Sequence, residues 1–217
     1  MQGIAAALPP VDGLACFNRM YLSVTLAVQS QVNAGFFADA AFMATLDVNF
    51  VNRFLGAVDA YRVAPGNAPR SWRVLLDQRA DPGLAPLQFA LAGMNAHINF
   101  DLAPALVQTC TDCVTSPDQG PHHLDFFKVN QTLHALGPQI RESFEQGVLI
   151  ELDRQFAGLD NLADTFSITA AREAAWVHGE VLWRLRDTTF LAASLLTTLD
   201  RTVGFAGRAL LTRLPRL

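Results

Sequence analysis

A histidine and an aspartate four positions apart are the pair in this sequence best suited to chemistry. His97 and Asp101 belong to the segment Gly-Met-Asn-Ala-His-Ile-Asn-Phe-Asp-Leu at residues 93–102. On an α-helix, residues with this spacing lie about one turn apart on the same face. The rest of that face is apolar, with helically spaced Leu87, Leu91, Met94, Ile98 and Ala105. An imidazole and a carboxylate in apolar surroundings must pair with each other, bind a metal or take part in catalysis.

Asp47 and Arg172 are the other two side chains that we expect to act in catalysis. Asp47 lies on an apolar stripe of a predicted helix, together with Val51 and Phe54. A carboxylate in that position either anchors an arginine or a helix end, or belongs to a functional site. Arg172 could serve as a buried counter-ion for Asp47 or Asp101, or it could hold a carboxylate or phosphate of a ligand.

Amide and indole side chains near these residues are candidates for binding a ligand. The predicted binding residues are Asn52, Asn95, Asn99, Asn130 and Trp176. A buried amide needs hydrogen-bond partners, so Asn130, on an apolar face, is expected to pair with Asn95 or Asn99 or to contact a ligand. Trp176 shares a helix face with Arg172, and an ordinary core position is the alternative interpretation.

A divalent metal such as zinc is the cofactor that these residue types would suit. The candidate ligands are His97, Asp101, Asp47, Asp125 and His122. Imidazoles and carboxylates bind zinc, and bound zinc activates water for hydrolysis. Cys110 and Cys113 precede His122-His123 in a C-x2-C-x8-H-H string, but this spacing matches no common zinc module. Two unrelated thiols beside a loop are the simpler interpretation.

The composition excludes several classes of protein. The 217 residues are enough for one domain with a substantial core, and 51% of them are hydrophobic while 17% are charged. A net charge of −4 gives no basic surface for nucleic acid. The sequence contains no stretch of about 18 apolar residues and no secretion signal at its N-terminus. Three cysteines, an odd count, do not indicate a disulfide framework. From these features together we expect a cytoplasmic protein with no membrane span.

The hydrophobic pattern is helical almost throughout, and alternation of the strand type is absent. The predicted helices cover residues 11–33, 39–63, 69–80, 86 to about 108, 122–136, 138–157, 165–187 and 189–214. We expect Pro104 to kink or end its helix, residues 109–121 to form a loop and Gly137-Pro138 to separate two helices. The chain therefore predicts a single all-α domain over residues 1–217, a globular bundle of seven or eight helices.

Several segments together resemble the bacterial family of unknown function DUF5995. They are Gly93–Leu102, Leu46–Val48, Asn52–Leu55, Asp59–Tyr61, Ser71-Trp72, Asp125-Phe126, Val129-Asn130 and Ala171–Trp176. This resemblance covers most of the chain and implies an all-α fold without implying an activity. Over one segment alone, Asn95-x-His97-x-x-Phe100-Asp101 also resembles the zinc segment Asn-x-His-x-x-Trp-Asp of the S1/P1 nucleases and phospholipase C enzymes. The second resemblance implies metal binding by His97 and Asp101, although the further histidine-rich motifs of those enzymes are absent.

Three functional hypotheses remain open, since the motifs of α/β-hydrolases, P-loop NTPases, zincins and Rossmann enzymes are absent. The first is a metal-dependent hydrolase with a pocket lined by Asp47, His97, Asp101 and Arg172. The second is a metal-free cyclase, isomerase or dehydratase of small-molecule biosynthesis, in which Asp101 orients His97 as the general acid or base. The 15 phenylalanines would suit an apolar substrate. The third is a non-catalytic binding or scaffold protein whose Asn, His and Asp side chains form a structural polar network.

Overall fold

The computed structural model describes residues 1–145 and 167–215, and the regular secondary structure of these residues is entirely helical. The described helices are α1 (Gln2–Ala7), α2 (Gly13–Asn33), α3 (Ala40–Val63), α4 (Arg70–Gln78), α5 (Pro86–Ala96), α6 (Leu102–Asp112), α7 (His122–Glu145), α8 (Ile168–Leu185) and α9 (Thr189–Leu210). A 3₁₀ turn at Pro65–Asn67 links α3 to α4. The all-α fold class predicted from the sequence is confirmed. None of the helices in the two described ranges combines the length and apolar character needed to cross a membrane.

Helices α5 and α6 form one continuous rod, because a π-helical turn at His97–Asp101 joins them without a break. Helices α2, α4 and α9 pack on α5, while α3 and α8 pack on α6, so the rod is central to the bundle. Pro104 lies in the first turn of α6 and cannot donate a hydrogen bond to a carbonyl of the preceding turn. The chain stays helical through Pro104, and the irregularity falls in the π-helical turn just before it.

The apolar core consists mainly of two clusters, and the rod contributes to both. One cluster contains Phe17 and Phe89, and the other contains Leu106 and Trp176. Along the rod, the buried residues of the first cluster lie at or before Ala96, and those of the second lie at or after Ile98. The π-helical turn therefore places two polar side chains, those of His97 and Asp101, between two apolar clusters.

Gly93, in the segment singled out by the sequence, lets α2 and α5 approach closely. A Cβ atom at this position would lie 2.4 Å from ring carbons of Phe17, well inside the normal contact distance. The Phe17 ring in turn contacts the rings of Trp72 and His97, with centroid separations of 5.3 and 5.8 Å. Because Gly93 has no side chain, α2 can pack close enough to α5 for the Phe17 ring to contact the His97 ring.

The structure differs from the sequence prediction at three places. Helix α6 extends to Asp112, so the loop that follows is shorter than predicted. Helix α7 runs through Gly137-Pro138 without the predicted break, because a proline removes one hydrogen bond but can be carried within a longer helix. The sequence pattern does not predict α1, which contains no buried residue. The part of the predicted helix 138–157 beyond residue 145 lies outside the described residues.

Candidate functional site

His97, Asp101 and Trp72 form a buried hydrogen-bonded chain. The Nδ1 atom of His97 is 3.0 Å from Oδ2 of Asp101, and the Nε1–H group of Trp72 donates to the same oxygen at 2.8 Å. Only 2% of His97 and of Asp101 is exposed to solvent, and Trp72 is fully buried. The two residues paired by the sequence analysis are therefore in contact, and α4 contributes a third residue that the sequence pattern does not identify.

These hydrogen bonds determine which nitrogen of the imidazole carries the proton. The indole of Trp72 can only donate, so Oδ2 of Asp101 accepts from it, and because a carboxylate has no proton to donate, Nδ1 of His97 supplies the proton that it shares with this oxygen. Burial lowers the pKa of His97 below its usual 6.5, and the opposing effect of Asp101 is smaller. At neutral pH the ring is therefore uncharged, with a lone pair on Nε2. That atom is buried and has no hydrogen-bond partner among the described residues.

Aromatic rings surround His97. Phe50 stacks face to face on the imidazole, with a centroid separation of 3.5 Å and an interplanar angle of 5°. Tyr21 approaches edge-on, with a centroid separation of 4.3 Å. The other rings in contact are those of Phe17, Phe54 and Trp72. An imidazolium would be poorly solvated in these surroundings, which explains why burial outweighs the carboxylate in setting the pKa of His97.

Tyr21 on α2 is a site residue that sequence reasoning missed. Its hydroxyl group is buried and has no hydrogen-bond partner in the part of the chain that the structure describes. Burial, followed by the Asp47 carboxylate, raises the pKa of Tyr21 well above its usual value. Thr25 opposes this shift, and the effects of Asp101, which raises the pKa, and of Arg172, which lowers it, are smaller still. The hydroxyl therefore keeps its proton at neutral pH. Nothing in the sequence separates this tyrosine from an ordinary core aromatic, because the charges that act on it come from other helices.

Asp47 lies on α3, one helical turn before Phe50, and is half-buried. Burial raises the pKa of its carboxyl group to about 6, and no other group contributes to the shift. Within the described ranges the carboxylate makes no hydrogen bond and no ion pair. A partly buried carboxylate without a partner weakens the fold at neutral pH, and this is a common property of functional sites.

Arg172 on α8 is buried and is held by groups other than carboxylates. Its Nε atom donates to Oδ1 of Asn130 at 2.7 Å, its Nη2 atom donates to the carbonyl oxygen of Phe126 at 2.7 Å, and the guanidinium lies 4.1 Å above the Phe126 ring. Burial lowers the pKa of Arg172 to about 9, with a smaller opposing effect of Tyr21. The predicted direct ion pair with Asp47 or Asp101 is absent from the described structure, and the charge acts on the site at longer range through Tyr21.

The residues predicted to bind a ligand mostly connect helices. Asn95 donates to the carbonyl oxygen of Val203 on α9 and accepts a hydrogen bond from Asn99. Asn130 pairs with Arg172 rather than with Asn95 or Asn99. Trp176 is buried and donates to Glu180, whereas Asn52 is exposed on the outer side of α3. The structure thus gives Asn95, Asn99 and Asn130 structural partners, and it leaves Asn52 at the surface.

The residues predicted to bind a metal do not form one group. Nε2 of His122 is 3.2 Å from Oδ2 of Asp39, and its ring stacks on Phe42 with a centroid separation of 3.8 Å. Asp125 accepts hydrogen bonds from Lys128 and from the backbone amide of Asp39, so it anchors the start of α3. Across residues 1–145 and 167–215, no three His, Cys, Asp or Glu side chains are grouped in a way that could hold a metal ion. The predicted set of five ligands is therefore not brought together.

The two cysteines of the C-x2-C string lie at the C-terminal end of α6. Cys110 is buried and Cys113 is exposed. Burial raises the pKa of the Cys110 thiol to about 12, which disfavours the thiolate that metal binding and nucleophilic attack require. The environment of Cys110 therefore agrees with the interpretation of this string as two unrelated thiols.

Comparisons with known proteins give a family but no activity. No curated protein and no solved structure matches the chain significantly. A family model does match, and it spans residues 1–213, which include the His97–Asp101 turn, Trp72, Tyr21, Asp47 and Arg172. The chain belongs to the family of unknown function DUF5995.

Proposed function

We propose that this protein is a metal-independent enzyme that transfers protons within a small, largely apolar molecule bound beside His97. The supporting observation is the unpartnered Nε2 atom of His97. It belongs to an imidazole whose other nitrogen is tied to a buried carboxylate, as in acid–base dyads. A ring used only for packing would not need a buried lone pair without a donor, because such an atom lowers stability.

Each neighbouring polar group has a separate part in this proposal. Asp101 orients the imidazole and stabilises the imidazolium that forms when Nε2 takes a proton. Trp72 holds Asp101 in place, so it is a positioning residue. Tyr21, which keeps its proton, donates a hydrogen bond to an oxygen or nitrogen of the substrate. Asp47 supplies a second titratable group, with a pKa of about 6.

The reaction class follows from these roles. Nε2 takes a proton from a C–H, O–H or N–H bond of the substrate, and the electron pair of that bond remains on the substrate. The imidazolium then returns the proton to another atom of the substrate or to a departing hydroxyl group. Isomerisation, cyclisation and dehydration all satisfy this balance without an oxidant or reductant. We place the reaction in the cytoplasm, as the sequence analysis expects.

A structural polar network is the second candidate function, and the amides favour it. Asn95, Asn99 and Asn130 all have partners in the described structure, and these hydrogen bonds tie the rod to α9 and α7 to α8. A scaffold protein would need such links. It would not need the buried and unpartnered Nε2 atom of His97, which is why we favour the enzyme. Metal-dependent hydrolysis is not adopted, because the candidate ligands are dispersed.

The test uses 5-nitrobenzisoxazole, an apolar aromatic probe for general bases. Removal of its C–H proton opens the ring by cleaving the N–O bond and releases a coloured phenolate, so no cofactor is needed. We expect turnover above buffer that increases with pH through the lowered pKa of His97, and a decrease of about 100-fold in His97→Gln. His123→Gln, a control at an exposed histidine, should retain full activity. A folded His97→Gln variant with undiminished turnover, or wild-type protein no faster than buffer, would contradict the proposal.

A further inference from the structure

The short helix α4, which carries Trp72, has no side-chain cap of its own. Its N-cap residue is Pro69, whose side chain has no hydrogen-bond acceptor, so the first backbone amides of α4 need a partner from elsewhere. Asp200 on α9 supplies it. Oδ2 of Asp200 accepts from the backbone amide of Arg70 at 2.9 Å, and Oδ1 accepts from the backbone amide and the hydroxyl group of Ser71, each at 2.9 Å. Asp200 therefore fixes the start of α4, directly before Trp72.

The next turn of α9 also holds the rod. The carbonyl oxygen of Val203 accepts a hydrogen bond from Nδ2 of Asn95 at 2.9 Å, and Asn95 lies two residues before His97. Gly204 packs directly on the first turn of α4, since a Cβ atom at this position would lie 3.2 Å from the backbone carbonyl group of Arg70. This part of α9 therefore contacts both elements that meet at the dyad, α4 and the rod.

The placement of α4 matters to the dyad because Trp72 reaches Asp101 through one hydrogen bond, 2.8 Å from Nε1 to Oδ2. The indole is fully buried, with the rings of Phe17 and Phe54 packed against it. A side chain in a close-packed core has little space to change rotamer, so a displacement of the α4 backbone moves Nε1 as well. The same oxygen of Asp101 is shared with Nδ1 of His97, so this displacement reaches the imidazole.

We infer that Asp200 is a positioning residue for the dyad: by fixing the start of α4, it keeps the indole of Trp72 within hydrogen-bond distance of Asp101. The connection from Asp200 to His97 consists of hydrogen bonds and the peptide unit that joins Ser71 to Trp72. The catalytic meaning of this connection rests on the proposed function, in which Asp101 orients His97 as the base. The connection itself is a property of the fold.

Nuclear magnetic resonance of the full chain at neutral pH tests this inference, because the Nε1 proton of Trp72 and the Nδ1 proton of His97 report the two hydrogen bonds to Asp101. In Asp200→Ala we expect the indole resonance to move upfield as its hydrogen bond lengthens. The imidazole resonance should move downfield, because a carboxylate that loses one donor accepts more strongly from the other. Trp72→Phe identifies the indole resonance by its loss.

A second variant and two controls separate positioning from a general loss of stability. Asp200→Asn keeps one acceptor oxygen, so it should give smaller shifts in the same directions, and it carries the test if Asp200→Ala does not fold. Asp39→Ala removes the cap of a different helix, α3, where Asp39 accepts from the amide of Phe42, and it should move neither resonance. In Trp72→Phe, the further change Asp200→Ala should leave the His97 resonance in place, because the link is already broken.

Three results would overturn the inference. The first is that Asp200→Ala and Asp200→Asn leave both resonances at their wild-type positions. The second is that Asp39→Ala moves them as far as Asp200→Ala does. The third is that Asp200→Ala still moves the His97 resonance when Trp72 is already phenylalanine. These measurements need no turnover, so a wild-type protein that fails the 5-nitrobenzisoxazole assay would remove the proposed enzyme and leave the role of Asp200 in placing the dyad intact.

Discussion

At the scale of single residues, burial shifts the pKa values of His97 and Asp47 in the directions that disfavour their charged forms. Burial lowers the pKa of His97, so its contribution to stability is present above the usual pKa of 6.5 and is lost as the pH falls. Burial raises the pKa of Asp47 to about 6, so its contribution has the opposite sign: stability is highest below 3.8 and is lost as the pH rises through 6. Near neutral pH, therefore, Asp47 weakens the fold while His97 does not.

Asp47→Asn should stabilise the protein at neutral pH but not in acid. The substitution removes the cost of ionising a partly buried carboxyl group, which amounts to about 1–3 kcal/mol at pH 7.5. Below about pH 3 the wild-type carboxyl group is protonated in both the folded and the unfolded state, so the two proteins should unfold with nearly the same free energy. Urea unfolding at both pH values measures the difference. Asp59→Asn, a control at an exposed position on the same helix, should change stability by less than about 0.5 kcal/mol at either pH, and an equal gain from Asp47→Asn at both would refute the argument.

At the scale of helical elements, the central rod shows which features a sequence can reveal. The bounds of α3 could be predicted closely, because Asp39 caps its first turn by accepting a hydrogen bond from Phe42 and because Pro65 follows its end. The π-helical turn at His97–Asp101 could not, since the apolar pattern on either side is that of an ordinary α-helix. Such turns often occur at functional sites, and this one contains the dyad.

Gly93→Ala and Gly56→Ala should change stability in opposite directions. Alanine gains about 1 kcal/mol over glycine in a helix interior. At Gly93, however, the new Cβ atom would lie 2.4 Å from the Phe17 ring, and overpacking of this kind costs about 1–3 kcal/mol or more. At Gly56, an exposed position on α3, no atom lies within 4 Å, so the propensity gain should remain. Thermal unfolding of the two variants checks the signs. A Gly93→Ala protein more stable than wild type would contradict this prediction, because it would show that α2 can move away from α5 without a loss of folding free energy.

At the scale of the whole molecule, the all-α class and the pairing of His97 with Asp101 are local properties, and the sequence predicts them. The rest of the site depends on long-range contacts. Trp72 reaches Asp101 across 29 positions, and Tyr21 comes from α2, more than 70 positions before His97. A single sequence has no periodicity that records such contacts. For the same reason it could not show that Arg172 would be held by Asn130, 42 positions away, instead of by a carboxylate.

The packing of the helices predicts which amide hydrogens of the folded chain exchange most slowly with solvent. The rod at residues 86–112 is packed by α2, α3, α4, α8 and α9, and most of its residues are buried, whereas α1 contains none that are. Amides in densely packed elements exchange with solvent only through large-scale opening, while those of weakly packed ends exchange by local fraying. Hydrogen exchange should therefore be slowest in peptides from the rod and fastest among the helices in α1. If the rod exchanged as quickly as α1, the dyad would be exposed by local opening, and the buried state of His97 on which its lowered pKa depends would not persist.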